Sequence, residues 1–181
     1  MNSTATDEVR PRRMKNLDYI NSLACESLED KLLKCSGSKI WTVEMARQKP
    51  FATTEELKSK SENAWKKLTE DNWLEAFTHH PQIGDVESLR QKFASTASWA
   101  TNEQSGVNSA SEETIKKLAE GNQRYLERFG YIFIVCATGK TAAEMLSLLE
   151  QRINNAPEIE FENACNEQKK ITQLRLEKLE P

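Results

Sequence analysis

The sequence predicts an all-α protein built as a single-domain helical bundle. Glycine and proline are scarce, with 6 and 5 in 181 residues, whereas a fold rich in sheets and tight turns needs more of both. Helix-start signals recur in the form of three capping-box motifs, Thr53-x-x-Glu56, Ser109-x-x-Glu112 and Thr141-x-x-Glu144. The length suits one domain, so we expect a flexible N-terminal tail over 1–16 and one helical domain over 17–181.

The first half of this domain carries signals for two helices. The Thr53 motif opens a segment with Leu57, Ala64 and Leu68 at apolar positions. Asp71 is a candidate N-cap for a short second helix that contains Trp73, Leu74 and Phe77. That helix should end before Pro81, because proline disfavours the α conformation in the residue that precedes it.

The second half predicts three longer helices. Ser109 opens a helix whose apolar stripe of Ile115, Leu118, Tyr125 and Phe129 has helical spacing, and Gly130 is a suitable end. The Thr141 motif opens the next helix, which carries Met145, Leu148 and Leu149. Pro157 marks the start of the last helix, since proline is favoured at the first helical position.

Within the segment over 131–139, the run 131–137 differs from the rest of the chain, because its β-branched and aromatic composition is typical of a buried strand. A single strand needs a partner, and no second run of this kind occurs in the sequence. We therefore expect either a buried irregular connector or a short helix between two long helices.

The composition argues against several classes of partner. The net charge of −3 gives no reason to expect binding to nucleic acid or to an anionic membrane, and no apolar run approaches the roughly 18 residues of a membrane span. The basic cluster from Arg10 to Lys15 is either a solvated tail or, less simply, a nucleic-acid contact. The four cysteines are widely spaced, which favours buried thiols in a reducing, cytoplasmic setting over disulfides.

His80 is the first candidate for catalysis. The only two histidines, His79 and His80, are adjacent and directly precede Pro81, at a predicted helix end. Histidine can both accept and donate a proton near neutral pH. The alternative is a structural histidine that interacts with the end of the helix. Two adjacent histidines without further ligands at suitable spacing make a poor metal site, so none is predicted.

Two other positions keep two interpretations each, and at a third one interpretation is rejected. Glu103-Gln104 could hold a ureido or imidazoline edge, or could be part of a surface turn ending at Gly106. Arg175, beside the apolar stripe of the last helix, either extends to solvent or grips a carboxylate with its planar fork. Lys140 follows Gly139 as in a phosphate loop, but Ile134 stands where that motif needs a glycine, so we reject it.

Four separated motifs resemble the family of 2-oxo-4-hydroxy-4-carboxy-5-ureidoimidazoline (OHCU) decarboxylases, in the bacterial and plant form. The first runs from 73–77 into 80–84, and the other three are 103–104, 128–137 and 170–176. The resemblance covers about 19–179 and implies an all-α fold, a homodimer, no metal and no organic cofactor. It also implies cofactor-free decarboxylation of OHCU to (S)-allantoin in urate degradation.

Site residues follow from the same resemblance. It implies catalytic roles for His80, Glu103 and Arg175. It implies substrate contacts for eight further residues, namely Pro81, Ala100, Gln104, Val135, Cys136, Ala137, Thr138 and Gly139. Ala100 departs from the family pattern, which has a serine or threonine there. That departure motivates one rival hypothesis, an interaction module of the same fold with impaired catalysis; a plain helical adaptor is the other.

Overall fold

The computed structural model describes residues 17–81, 86–97 and 104–180, without the side chains of 92, 94–97 and 104–111. Within these ranges the chain forms nine helices and no strand, which confirms the all-α prediction. The helices are α1 (Leu17–Ser22), α2 (Cys25–Ser36), α3 (Lys39–Arg47), α4 (Thr54–Trp65), α5 (Glu70–Thr78), α6 (Val86–Ala97), α7 (Gln104–Phe129), α8 (Ala142–Arg152) and α9 (Pro157–Glu177). No helix among the described residues is both long and apolar enough to cross a bilayer.

Two predicted caps form as the sequence indicated. The Thr53 hydroxyl accepts a hydrogen bond from the backbone N–H of Glu56 at 3.1 Å and starts α4. At α8 the capping box is complete, since Thr141 Oγ1 accepts from Glu144 N at 3.2 Å and Glu144 Oε2 accepts from Thr141 N at 2.7 Å. Pro157 is the first residue of α9, as predicted.

Two predicted helix starts are wrong. α5 begins at Glu70, because Thr69 donates both its backbone N–H and its hydroxyl to Asn72 Oδ1, so Asp71 already lies inside the first turn. α7 begins at Gln104, which leaves Ser109 in the helix interior. A local capping signal competes with continuation of the helix, and the surrounding structure decides between them. Helices α1, α2, α3 and α6 were not identified from the sequence.

The helices pack around two separate cores. The first is formed by α1–α5 and α9, and includes a stack of Trp41, Trp65 and Trp73 with ring centroids 5.4 and 4.3 Å apart. The second lies between α6, α7 and α8, with Leu89, Leu118 and others at its centre. Burial of these apolar side chains provides the main driving force for the fold.

The segment over 131–139 is a connector without helix or strand, which is extended between the two cores and ends in a turn at 138–139. This confirms the predicted irregular connector. Ile132 and Ile134 pack against the first core, and Phe133, Val135 and Ala137 pack against the second. Successive side chains of an extended chain point to opposite sides, so one segment covers both cores. This alternation gives the segment its strand-like composition although it pairs with no described strand.

Side chains, rather than a neighbouring strand, satisfy the connector's backbone. Arg152 Nη1 donates to the carbonyl of Ile134 at 2.9 Å, Glu167 Oε2 accepts from Cys136 N at 2.7 Å, and Lys140 Nζ donates to Cys136 O at 2.7 Å. Burial favours a higher pKa for Glu167, but the hydrogen bonds from Lys170 and from Cys136 N lower that pKa below its usual value. The carboxylate is therefore held in the ionised form that accepts both bonds.

A buried ion pair supports this arrangement. Glu160 is fully buried, and its Oε1 accepts from Arg152 Nη2 at 2.6 Å and from Arg152 Nε at 2.8 Å. The same carboxylate accepts hydrogen bonds from the Tyr125 hydroxyl and from Asn155 Nδ2. Because all of its partners are in place, the charge is compensated where water cannot reach it.

Replacing Arg152 with methionine should destabilise the protein markedly. The change leaves the Glu160 carboxylate without its counter-charge and the Ile134 carbonyl without its donor, at a cost of about 3 kcal/mol. Urea denaturation followed by circular dichroism measures this difference. Lys117→Met is the matched control, because its partner Glu113 is solvent-exposed and the pair should contribute little. Equal stability of the two variants would contradict the structural role of the buried pair.

The turn between α2 and α3 packs tightly against the end of α5. Gly37 has a φ of 72°, and a Cβ built there would lie 2.6 Å from His79 Cβ and 2.8 Å from Ala76 O. The position therefore demands glycine both for its left-handed backbone and for its lack of a side chain. The turn lies directly behind the adjacent histidines.

Gly37→Ala should lower the free energy of unfolding more than Gly130→Ala does. Gly130 has a similar φ of 77°, but apart from its chain neighbours no atom of the described residues lies within 4 Å of a Cβ built there, so alanine meets mainly the backbone strain. We expect the Gly37 variant to be less stable than the Gly130 variant by about 1 to 3 kcal/mol. Thermal and urea denaturation of both variants checks this, and equal losses would show that the contact with α5 is unimportant.

Candidate active site

His80 lies just beyond the end of α5, where the proline was predicted to stop the helix. α5 ends at Thr78, His79 is the C-cap residue, and the backbone N–H of His80 donates to Phe77 O at 3.2 Å. The two histidines then diverge: His79 is exposed, whereas His80 is partly buried and lines a cavity. Pro81 lines the same cavity.

This cavity has a volume of about 510 Å³ and lies between the two cores. One wall is the connector over 132–138, and a second is the face of α9 that carries Ile171, Leu174 and Arg175. Apolar residues of α6, α7 and α8 complete the lining, among them Leu89, Leu118 and Met145. A largely apolar cavity with a few convergent polar groups is typical of a small-molecule site.

His80 is held from behind by a buried amide. Its Nε2 lies 2.5 Å from Oε1 of Gln168 on α9. Gln168 is fully buried, and its Nε2 donates to the carbonyl of Ser36 at 3.0 Å and to Thr172 Oγ1 at 3.3 Å. The imidazole is thus connected to the C-terminal end of α2.

Arg175 lines the same cavity as His80 and also contacts the end of α2. Its Nη1 donates to the carbonyl oxygens of Lys34 and Cys35, at 3.3 and 3.2 Å. These carbonyls belong to the last turn of a helix, where a cation is favourable. The other guanidinium nitrogens make no hydrogen bond to any residue in the described ranges, so they remain able to bind a ligand.

Cys35, beside Arg175, is a buried thiol. Burial raises the pKa of Cys35 to about 11, while the positive charges of Arg175 and Lys31 act in the opposite direction. Its thiol therefore stays protonated at neutral pH and is a poor nucleophile. Of the four cysteines, Cys25 is exposed, which corrects the expectation that all are buried.

The described part of the cavity lining is positively charged. Among its residues the charged side chains are those of Arg175 and Lys178, and both are cationic. A concave site lined by one sign of charge raises the local concentration of ligands of the opposite sign. The arrangement therefore suits an anion. Within the described part of the chain, no cluster of three or more histidine, cysteine or acidic side chains could hold a metal ion.

The structure brings together most of the residues that the sequence singled out. Val135, Cys136, Ala137 and Thr138 line the cavity with His80, Pro81 and Arg175, whereas Gly139 lies outside the lining in an exposed turn. Ala100 and Glu103 lie outside the described residues, as does 82–85. Gln104 is the first residue of α7, and its side chain is outside the description.

Sequence reasoning missed Gln168 and Lys178. Gln168 was detectable in principle, because it shares the buried face of α9 with Ala164, Thr172 and Leu176 at helical spacing. A glutamine on such a face needs buried partners. Lys178, three residues after Arg175, lies on the same side of the helix end.

Comparison with known proteins identifies relatives of this fold and site. Uric acid degradation bifunctional protein TTL of Arabidopsis thaliana is 36% identical over 159 residues, which are 87% of this chain and 48% of that protein. This chain therefore spans about half the length of that relative. The 2-oxo-4-hydroxy-4-carboxy-5-ureidoimidazoline decarboxylase of Haloferax volcanii is 27% identical over 161 residues, which are 88% of this chain and 93% of that enzyme.

A solved structure and a family model agree with these relatives. The crystal structure of OHCU decarboxylase in the presence of (S)-allantoin superposes with a TM-score of 0.64 and 36% identity, over 81% of this chain and 94% of that one. The family model described as OHCU decarboxylase matches residues 21–177. Since the match covers most of the chain, including the whole of the described cavity lining except Lys178, the protein belongs to the OHCU decarboxylase family.

Proposed function

We propose that the chain catalyses the cofactor-free decarboxylation of OHCU to (S)-allantoin in urate degradation, as a carboxy-lyase. One observation carries the proposal: His80 and Arg175, which come from separate elements, line one cationic cavity in a member of this family. The names of the relatives support the same reaction, since they concern uric acid degradation and OHCU decarboxylation. The crystal structure with (S)-allantoin supports the product.

The reaction needs three contributions from the protein. Loss of CO₂ breaks a carbon–carbon bond and leaves an electron pair, which the adjacent imine or carbonyl of the substrate absorbs. The substrate is thus its own electron sink. A proton must then reach one face of the ring, and His80 is the proposed general acid and base. Arg175 orients the carboxylate through the guanidinium nitrogens that do not bond to α2.

The remaining predicted residues complete the proposed site. The proposed contacts to the ring and ureido groups come from the backbone of Val135 to Gly139. Within this run the N–H of Cys136 is already bonded to Glu167, so the donors to the substrate come from its neighbours. Glu103 polarises the substrate hydroxyl or sets the protonation state of His80, and Gln104 offers a donor and an acceptor to the ureido group. Ala100 contacts the substrate without the hydroxyl that relatives supply.

His80→Ala should abolish the acceleration of (S)-allantoin formation while the helical circular dichroism is retained. The substrate can be generated from urate with uricase and hydroxyisourate hydrolase, and the optical activity of allantoin followed in time. His79→Ala is the matched control, because this neighbour is exposed and outside the cavity. Full activity of the His80 variant would refute the assignment, and no acceleration by the unmodified protein would favour the catalytically impaired module.

Arg175→Lys should reduce kcat/KM at least about tenfold, or about 1.4 kcal/mol of transition-state stabilisation. Lysine keeps the charge but lacks the planar fork that can bond to α2 and to a carboxylate together. Steady-state kinetics in the same coupled assay measure the change. Arg128→Lys is a matched control, because Arg128 also donates to a backbone carbonyl but lies outside the cavity. Unchanged efficiency in the Arg175 variant would remove this residue from the proposed mechanism.

We also propose a homodimer in the cytoplasm, with 17–181 as the catalytic domain and 1–16 as a tail. The support for the dimer is the resemblance to the family. Free thiols at all four cysteines support a reducing compartment. No role for the tail in the reaction follows from the proposed site, whose residues all belong to 17–181.

A further inference from the structure

The amide of Gln168 has only one orientation that its surroundings allow. One end faces the carbonyl oxygen of Ser36 at 3.0 Å, and a carbonyl oxygen can only accept a hydrogen bond. The nitrogen must therefore be on that side, where it also donates to Thr172 Oγ1. The opposite orientation would set two acceptors against each other in a site that water does not reach.

This orientation determines which nitrogen of His80 carries a proton. Gln168 Oε1, 2.5 Å from His80 Nε2, can only accept, so Nε2 must donate. Neutral imidazole has a single N–H, and its other nitrogen is the basic one. In the neutral ring the proton is thus on Nε2, and Nδ1 is the atom that can accept another.

The support behind this contact is buried and fully connected. Gln168, Thr172 and Ser36 each have 0% exposure. The Ser36 hydroxyl accepts from the backbone N–H of Ser38 at 3.2 Å and lies 3.3 Å from the hydroxyl of Thr42. Rotation of the amide would leave buried polar groups unpaired, which is costly, so the acceptor stays directed at His80.

We propose that Gln168 is a positioning residue that fixes His80 in the Nε2–H form and makes Nδ1 the site of proton transfer. The inference rests on the proposed role of His80 as general acid and base. The imidazolium gives its Nδ1 proton to the substrate carbon that has lost CO₂, and the electron pair left on that carbon forms the new C–H bond. Neutral imidazole regains a proton at Nδ1 from solvent, while the Nε2–H bond to Gln168 persists.

The tautomer can be measured directly, because the chain has only two histidines. His79→Gln leaves His80 as the sole imidazole and keeps the Cβ and Cγ atoms that face Gly37. In this protein, labelled with ¹⁵N-histidine, NMR at a pH where the ring is neutral should show the proton on Nε2. A proton on Nδ1, or an even mixture of the two forms, would overturn the proposal.

Gln168→Met in the same background tests the consequence for catalysis. Methionine keeps most of the volume but offers no comparable acceptor. We expect a mixture of tautomers, a fall in kcat of about tenfold or more, and a KM within about threefold of the parent, because binding groups are unchanged. Gln173→Met, on the same helix but bonded to Glu177, should retain parental kcat and tautomer.

The outcomes separate this inference from the proposed function. If the His79→Gln protein is inactive but carries the proton on Nε2, the decarboxylase assignment is refuted and the assigned tautomer stands. An active parent whose Gln168→Met variant retains full kcat, or loses no more than Gln173→Met, would refute the positioning role alone. If Gln168→Met fails to fold by circular dichroism, a proton on Nδ1 or an even mixture of tautomers in the Gln168-containing protein still overturns the proposal.

Discussion

The capping of α2 by side chains of α9 is the interaction on which the cavity depends. The last carbonyls of a helix have no partner within the helix. Here Arg175 donates to Lys34 O and Cys35 O, and Gln168 donates to Ser36 O. Two residues seven positions apart on α9 thus satisfy the end of α2 and at the same time place a guanidinium in the cavity and an acceptor behind His80. The same contacts between α2 and α9 therefore stabilise the first core and determine the geometry of the site.

The connector adds the second constraint, because it forms both a wall of the cavity and the boundary between the cores. Its extended backbone exposes N–H and C=O groups that no adjacent strand pairs within the described residues. Arg152, Glu167 and Lys140 supply some of the missing partners. Arg152 lies on α8, Glu167 on α9 and Lys140 just before the N-cap of α8, so the wall is held by the helices on either side of it.

The sequence predicted those features whose cause is local. His80 could be found because Pro81 restricts the residue before it, and the Thr141 box could be found because donor and acceptor are three residues apart. Gln168 could not be assigned a role, because its partner Ser36 is 132 positions away in the chain. The wrong start at Ser109 has a related origin: a local cap motif does not reveal whether packing elsewhere extends the helix past it. The roles of Glu103 and Ala100 rest on resemblance, as both lie outside the described residues.

The charge of the site explains why an amide, rather than a carboxylate, is suited to hold His80. A carboxylate acceptor would also direct Nε2–H, but it would add a negative charge behind a cavity whose described charged side chains are Arg175 and Lys178. That charge would oppose the attraction of an anionic substrate and would raise the pKa of the imidazole through its Coulomb interaction. A neutral glutamine gives the ring its orientation without either effect. An amide could present either its oxygen or its nitrogen to His80. The buried contacts of the Gln168 nitrogen with Ser36 and Thr172 determine that the oxygen faces the ring.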